Sequence, residues 1–117
     1  SSPKIAVTLK FGFGVQLSVG LPVVGNVSVL FMVGLEVYAD STGVVIVTAF
    51  MLFKGRAELL GGLVSVTITI EASGSVKRLP GGDANAIAKV TFAIDISIFL
   101  IIDISFSKSW EEERQIA

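Results

Sequence analysis

The sequence predicts an all-β protein, a five-stranded antiparallel meander of unusually long strands with one apolar face. Apolar and polar residues alternate with a period of two along nearly the whole chain, and no segment fits a helical period better. Clusters of Gly, Pro, Asn and Asp interrupt the alternation at four places. Of the 117 residues 52% are hydrophobic and 16% charged, so the apolar residues exceed what one small domain normally buries.

We predict one strand in each of five segments, and together they form a single β domain or a fragment of a larger β assembly. In the first segment every odd position from Ile5 to Val19 is large and apolar, and the even positions are small or polar. The second and third segments keep their apolar residues at odd positions. The segments are residues 4–20, 26–40, 44–60, 63–78 and 86–110, followed by a tail at 111–117.

The third segment is apolar at even positions too, for example at Phe50 and Leu52, so we expect it to be central and covered on both faces. In the fourth and fifth segments the apolar residues move to even positions. Phe99 and Ile101 interrupt the polar series of the fifth segment. After Trp110 the alternation ends, and we expect a short helical turn or a solvated tail.

Turn chemistry places these strands in one sheet. Gly61 and Gly62 predict a two-residue hairpin that pairs Leu60 with Leu63, which puts odd positions before the turn on the same face as even positions after it. The other connections join strands of equal phase. Each therefore needs a loop of three or five residues with a left-handed glycine.

The fifth predicted strand extends beyond the fourth. If Arg78 lies opposite Ala84, then Leu63 lies opposite Phe99, and the residues after Phe99 have no partner in the fourth strand. An unpaired apolar edge promotes aggregation, so we expect another chain to pair with this overhang. Its predicted pairing residues are Leu100, Ile102, Ile104, Phe106 and Trp110.

A single sheet cannot bury its own apolar face, so the sequence predicts a second layer or a partner chain. Sheet-on-sheet packing at about 10 Å would cover such a face. The residues expected to form this interface are Phe11, Phe13, Val15, Phe31, Val33, Met51, Phe53, Ile68, Ile70, Phe92, Ile94 and Ile98.

Two carboxylate pairs are candidate chemical sites. Asp95 and Asp103 lie eight residues apart on one predicted strand, about 27 Å, whereas glycosidase carboxylates lie about 5 to 10 Å apart. Glu36 and Asp40 share a face near a turn, but too few oxygen ligands accompany them to favour calcium. We expect no catalytic residue, metal or cofactor.

Gly12 and Gly14 fall inside a strand, whereas a phosphate-binding loop needs a strand, a glycine turn and then a helix. We expect them to allow close packing or bending of the strand. The charged residues of the polar face are expected to form a solvated ladder, with Lys54, Arg56 and Glu58 across from Glu71 and its neighbours.

Composition argues against several classes of function. The net charge is −1 and the basic residues are scattered, which disfavours nucleic-acid binding. Without histidine and cysteine the usual nucleophile and base pairs are missing, so we predict that the protein is not an enzyme. No segment has the order of a signal peptide or the length of a transmembrane helix, and the compartment is left open.

A resemblance adds to this interpretation. The run AFMLFKGRAELLGGLVSVTITIE, followed by VTFAIDISIFLIIDISFSKSWEEERQIA, resembles long-stranded β-rich C-terminal segments of very large uncharacterised bacterial proteins. The resemblance covers residues 4 to 110. It implies that the chain is a segment of a larger β assembly, and it implies no activity.

The function predicted from the sequence is therefore a non-catalytic assembly module. Its apolar face and its edge strands would pack against other copies or another chain, in part by strand addition. Two alternatives remain at this point. The strands would insert into a membrane as part of an oligomeric pore, or the sheet would form a curved trough that binds lipid or another apolar ligand, with Gly12, Gly14 and Gly34 supplying the curvature.

Overall fold

The computed structural model describes residues 3–22, 25–99 and 101–117, which form one antiparallel sheet of six strands in the order β1-β2-β3-β4-β5-β6. The sheet is thus an open meander, and the described residues contain no α-helix. Its elements are β1 (Ala6–Leu21), β2 (Gly25–Asp40), β3 (Val45–Leu59), a 3-10 turn (Leu60–Gly62), β4 (Val64–Arg78), β5 (Ala84–Ile98) and β6 (Ile102–Gln115).

The strands are 14 to 16 residues long, about three times the usual length. The molecule measures 67 × 24 × 22 Å, and its radius of gyration is 20.3 Å, whereas a compact chain of this length has about 13 Å. A third dimension of 22 Å exceeds the roughly 10 Å of a flat layer, so the sheet is twisted. Among the described residues each strand contacts only its sequence neighbours.

The turn between β3 and β4 has the predicted register. Leu59 lies opposite Val64, which corresponds to Leu60 facing Leu63 across the two glycines. Gly61 and Gly62 both have positive φ, 67° and 91°, as a primed turn requires. The shift of apolar residues from odd to even positions is therefore a property of this turn.

Two further connections confirm the prediction of loops of three or five residues with a left-handed glycine. Asp40 bonds Val44 across the β2–β3 turn, where Gly43 has a φ of 97°. Leu79 bonds Asp83 across the β4–β5 turn, and Gly82 there has a φ of 94°. Because these loops contain an odd number of residues, apolar residues keep the same parity on both sides of each.

The prediction of five strands is wrong, because the predicted strand 86–110 is two strands. β5 ends at Ile98, which lies opposite Ile102, the first residue of β6. The chain reverses at Phe99, whose φ is 53°. Three residues separate Ile98 from Ile102, so the alternation passes through the turn unchanged and the pattern does not reveal the reversal.

Two related predictions are also wrong. The predicted overhang does not extend past β4 without a partner, since β6 turns back and pairs with β5 from Ile102 to Gln115. Consequently the predicted tail 111–117 is largely strand, with β6 continuing to Gln115. By pairing with β5, β6 satisfies the N–H and C=O groups on one side of its backbone within the same chain, which accounts for this outcome.

β3 lies inside the sheet, as predicted, but the described residues place no layer over it, and Phe50 is 38% exposed. In the described part of the chain Ala84 is the single apolar residue that is buried, at 8% exposure. The sheet therefore has two accessible faces and no enclosed core.

Candidate functional site

The register brings the predicted interface residues onto one face of the sheet. One row across the strands runs from Val15 through Phe31 and Phe53 to Ile70 and Phe92. Rows on either side place the other predicted residues beside these: Phe11, Phe13, Val33, Met51, Ile68, Ile94 and Ile98. We call this the apolar face, formed by odd positions of β1–β3 and even positions of β4–β6.

Side chains of the apolar face are most accessible on β1. Phe11 and Phe13 are 61% and 64% exposed, and Val15 is 40% exposed. The corresponding residues of the inner strands, such as Val33 and Met51, are half-buried because they have neighbours on both sides. The large aromatic area at the β1 edge is thus available for a contact.

At the opposite edge the apolar face becomes polar. The first half of β6 contributes Ile104 and Phe106, whereas its second half contributes Lys108, Glu112 and Arg114 to the same face. The Lys108 Nζ atom lies 5.1 Å from the Trp110 ring centroid, a cation–π distance that keeps the ammonium group over this face.

The residues predicted to pair with another chain have partners within the sheet. Ile102, Ile104, Phe106 and Trp110 lie opposite residues of β5, namely Ile98, Ile96, Ile94 and Val90. Leu100, the remaining member of that predicted set, lies outside the described residues. Strand addition at this place would have to use the outer side of β6.

The outward backbone groups of β1 follow from the hydrogen-bond pattern. Asp40 donates its N–H to the Val44 carbonyl, so even positions of β2 bond β3 and odd positions bond β1. Accordingly Ser41 donates to the Ile5 carbonyl, an odd position of the first strand. The even positions of β1 therefore direct their N–H and C=O groups away from the sheet, where the described structure has no strand.

On β6 the outward groups belong to odd positions. Leu79 donates to the Asp83 carbonyl, so odd positions of β5 bond β4 and even positions bond β6. The Ile116 N–H bonds the Ala84 carbonyl in agreement with this pattern. The outward positions of β6 are Asp103, Ser105, Ser107, Ser109, Glu111, Glu113 and Gln115.

Both lysines of the β1 segment lie beside carboxylates of β2. The Lys4 Nζ is 3.4 Å from an Asp40 carboxylate oxygen, and the Lys10 Nζ is 3.7 Å from Glu36. Glu36 and Asp40, the candidate calcium ligands, thus each pair with a lysine. In the described residues no group of three or more acidic, His or Cys side chains is placed to hold a metal ion.

Asp40 also organises the β2–β3 turn. It accepts hydrogen bonds from the Thr42 hydroxyl, from the Thr42 N–H at 2.9 Å and from the Tyr38 hydroxyl at 2.7 Å. Hydrogen bonds from Thr42 and Tyr38 hold the pKa of the Asp40 carboxyl well below its ordinary value. The carboxylate is thus a structural group that fixes the turn beside the start of β1.

Two glycines of neighbouring strands lie side by side on the opposite face. Gly12 lies opposite Gly34, and a Cβ at Gly34 would come within 2.1 Å of the Phe50 ring. The glycine therefore leaves the space that this ring occupies, as close packing requires. Phe50 and Met32 line an open groove of about 430 Å³ that reaches the polar residues of β4 and β5.

The predicted separation of Asp95 and Asp103 is wrong, because the two residues lie on adjacent strands. Asp95 is opposite Ser105 and Asp103 is opposite Ser97, which makes the two residues diagonal neighbours with Cα atoms about 7 to 8 Å apart. Asp95 accepts a hydrogen bond of 2.5 Å from the Ser105 hydroxyl. Asp95 and Asp103 are both exposed. The hydrogen bond between Ser105 and Asp95 joins the edge strand to the rest of the sheet.

The charge ladder differs in detail from the expectation. Arg56 pairs with Glu58 on its own strand at 2.5 Å, and Lys54 lies opposite Thr69. Glu71 lies opposite Leu52. The charged groups on this face are therefore spaced by apolar and hydroxyl side chains.

Comparison of the chain with protein-family models, with curated proteins and with solved structures gave no match. In the described part of the chain no helix has the length and apolar character needed to cross a membrane.

Sequence reasoning did not single out the outward side of β1 as an open and accessible sheet edge. Two signals were present: the small side chains at its even positions, and glycines at Gly12, Gly14 and Gly20 that leave the backbone accessible. It also missed the reversal after Ile98. The run of five apolar residues from 98 to 102, which breaks the polar series, was the available signal.

Proposed function

We propose that the protein is a non-catalytic assembly module, whose apolar face packs against a second β layer from another copy or another chain. Its edge strands extend the sheet by pairing with further strands. The carrying observation is the extent of the accessible apolar face.

Surface area supports this proposal quantitatively. The chain exposes 8305 Å², whereas a folded monomer of 12.3 kDa exposes about 6,100 Å². The excess of about 2,200 Å² is more than twice the roughly 800 Å² that each partner contributes to an ordinary interface. Many large apolar side chains of the apolar face are exposed, and contiguous exposed apolar patches larger than a few hundred Å² mark interaction surfaces.

The arrangement of that surface favours a sheet as the covering layer. The apolar face is continuous over five strands and about 15 residues of strand length, because every row of β1–β5 presents mainly apolar side chains. Another sheet covers an area of that shape with interdigitating side chains at a spacing of about 10 Å. A single helix would cover only a stripe.

The two alternatives have less support. Lys108, Glu112 and Arg114 lie on the apolar face, and charged side chains on a lipid-facing surface are destabilising. The described part of this face has separate open grooves of about 200 to 380 Å³, around Gly55, beside Gly34 and between Val76 and Arg114, and no single enclosed cavity of the kind that buries an apolar ligand.

Mass measurement after size exclusion in detergent-free buffer tests the proposal. We expect an oligomer or a complex with a co-purifying chain. Ile70→Asp, in the centre of the apolar face, should reduce association by about tenfold or more, because a carboxylate would be desolvated in the contact. Thr69→Asp, on the opposite face beside Lys54, is the matched control and should associate normally.

A lone, soluble monomer would overturn the proposal, as would equal behaviour of the two variants. Solubility in detergent or liposomes alone would favour membrane insertion, and lipid bound in native mass spectra would favour the trough. Far-UV circular dichroism checks that both variants keep their strand content.

A further inference from the structure

Building on the proposed assembly role, we propose that β1 pairs antiparallel with β1 of a second copy, about a twofold axis that passes through Phe13. The two six-stranded sheets then become one sheet of twelve strands with a continuous apolar face. The occupant of this edge is therefore the protein itself.

The outward backbone groups of β1 are arranged symmetrically about Phe13. They belong to the even positions from Ala6 to Gly20, and Phe13 lies at the midpoint of that series. In an antiparallel pair centred there, each of these positions meets another outward position of the second copy. Such a pair forms up to about 16 backbone hydrogen bonds, two for each hydrogen-bonded residue pair.

Side-chain parity selects this register. A shift of one residue would place the apolar face of one copy beside the polar face of the other, which exposes part of the joined apolar surface. Shifts of two residues keep the faces matched but leave outward groups at both ends without partners. The register centred on Phe13 is the one that satisfies both conditions over Ala6–Leu21.

Side chains on the joined apolar face match as well. Phe13 lies opposite Phe13 of the second copy, Phe11 opposite Val15, and Leu9 opposite Leu17. Aromatic and branched apolar pairs of this kind stabilise neighbouring strands. These side chains are among the most exposed of the molecule, at 40% to 64% for Val15, Leu9, Phe11, Leu17 and Phe13.

Charges do not oppose this contact. In the proposed register Lys10 faces Gln16 of the second copy, so the two Lys10 side chains do not meet. Each Lys10 is also 3.7 Å from Glu36 of its own chain. Glycines at positions 12 and 14 face one another next to the axis, where they leave room for close approach of the two backbones.

Contacts that involve β6 fit less well. If β1 pairs over its full length with β6 of the next copy, Phe13 faces Lys108 and Leu9 faces Glu112 on the apolar face. That arrangement is also head to tail and leads to rings or open filaments. If β6 pairs with its own copy, Glu112 faces Phe106 and Arg114 faces Ile104.

Single cysteine variants test the axis directly, because the chain contains no cysteine. A residue on the axis meets its own copy in a non-hydrogen-bonded pair with Cα atoms about 4.5 Å apart, within the range of a disulfide. We expect Phe13→Cys to give a covalent dimer under mild oxidation. Phe11→Cys is the matched control, since its copy lies about 14 Å away along the strands, and it should give no covalent dimer.

Charge variants at Gln16 test the register without a cross-link. Gln16→Glu places a carboxylate opposite Lys10 of the second copy twice per dimer and should tighten dimerisation by about 2- to 30-fold. Gln16→Lys should weaken it by a similar factor. The dimer dissociation constant, measured by sedimentation, provides the readout, and the opposite signs separate a specific contact from general destabilisation.

The outcomes distinguish this inference from the proposed function. An assembled protein that gives no Phe13→Cys dimer, or that shows no opposite effect of the Gln16 variants, would overturn the β1 pairing and leave the assembly role intact. A wild-type monomer would overturn both. A ladder of ever larger species in sizing would instead indicate the head-to-tail contact with β6.

Discussion

The two edge strands of the sheet, β1 and β6, both leave backbone groups unpaired on one side, but they differ in how strongly they resist pairing with another strand. β6 carries charges at six of its 14 positions, and its outward backbone groups lie beside acidic and serine side chains. β1 is 16 residues long and contains Lys10 as its single charged residue. Charged edge strands resist unwanted pairing, whereas uncharged, accessible ones promote it.

The two edges of the sheet therefore differ in how they meet another strand. The β1 edge is suited to pairing, whereas the charges on β6 protect the opposite edge. It also follows the apolar face, which is continuous from β1 to β5 and gives way to Lys108, Glu112 and Arg114 on β6. A contact that covers the apolar face from β1 to β5 therefore loses little apolar area by stopping before β6.

We expect the largest difference in self-association when a glutamate is placed at one or the other end of a single row of the apolar face. Phe13 and Trp110 occupy the same row of the apolar face. Phe13→Glu should weaken self-association by about tenfold or more, because its carboxylate would be buried without a partner. Trp110→Glu should change it by less than about threefold, since Lys108 already makes that end polar. Equal effects in sedimentation would contradict the comparison.

The attachment of the start of β1 is tested at Asp40. Asp40→Asn should lower the melting temperature near neutral pH, because the charged acceptor for Tyr38 and the ion pair with Lys4 are lost. The pKa of Asp40 is lowered in the folded protein, so its contribution is complete above its ordinary value of about 3.8 and declines as the pH falls below that value.

Thermal melts between about pH 7 and pH 2 should therefore show a gap between wild type and Asp40→Asn that narrows below about pH 4. A gap that stays constant with pH would show that the lost charge is not the cause.

The turn that starts β6 is expected to be strained. Phe99 has a φ of 53°, a conformation that glycine adopts at less cost, and its side chain is 48% exposed. Phe99→Gly should raise the free energy of unfolding by about 0.5 to 1 kcal/mol. Phe99→Ala, which keeps the strain and removes the ring, is the control and should give no gain in urea unfolding. A loss of stability in Phe99→Gly would show that the ring contributes more than the turn costs.

An effect as small as that of Phe99→Gly is expected for the side-chain contacts that join β6 to β5. The Ser105 hydroxyl donates to Asp95, and the hydroxyls of Thr91 and Ser109 are 2.9 Å apart. Ser105→Ala should lower stability by about 0.5 to 1 kcal/mol, as one partly exposed hydrogen bond does. Hydrogen exchange should show faster exchange confined to β5 and β6. Ser107→Ala, whose opposite residue is Ala93, serves as the control.

Particular residues show which features of the fold could be predicted from the sequence. Gly61 and Gly62 fixed the change of parity, because a two-residue turn can join the strands in one register only. The match of Arg78 with Ala84 followed from loop length in the same way. The reversal at Phe99 was hidden, since a three-residue loop preserves parity and no glycine marks the left-handed position.

The alternation of side chains by itself determined which segments are extended, their two faces and the residues that share the apolar face, because a period of two is a local property of extended backbone. Only the tertiary structure decided that the chain reverses once more, that Asp95 and Asp103 become neighbours, and that β1 and β6 are the edges. Those features depend on which strands pair, and pairing is settled by hydrogen bonds between distant segments that alternation cannot encode.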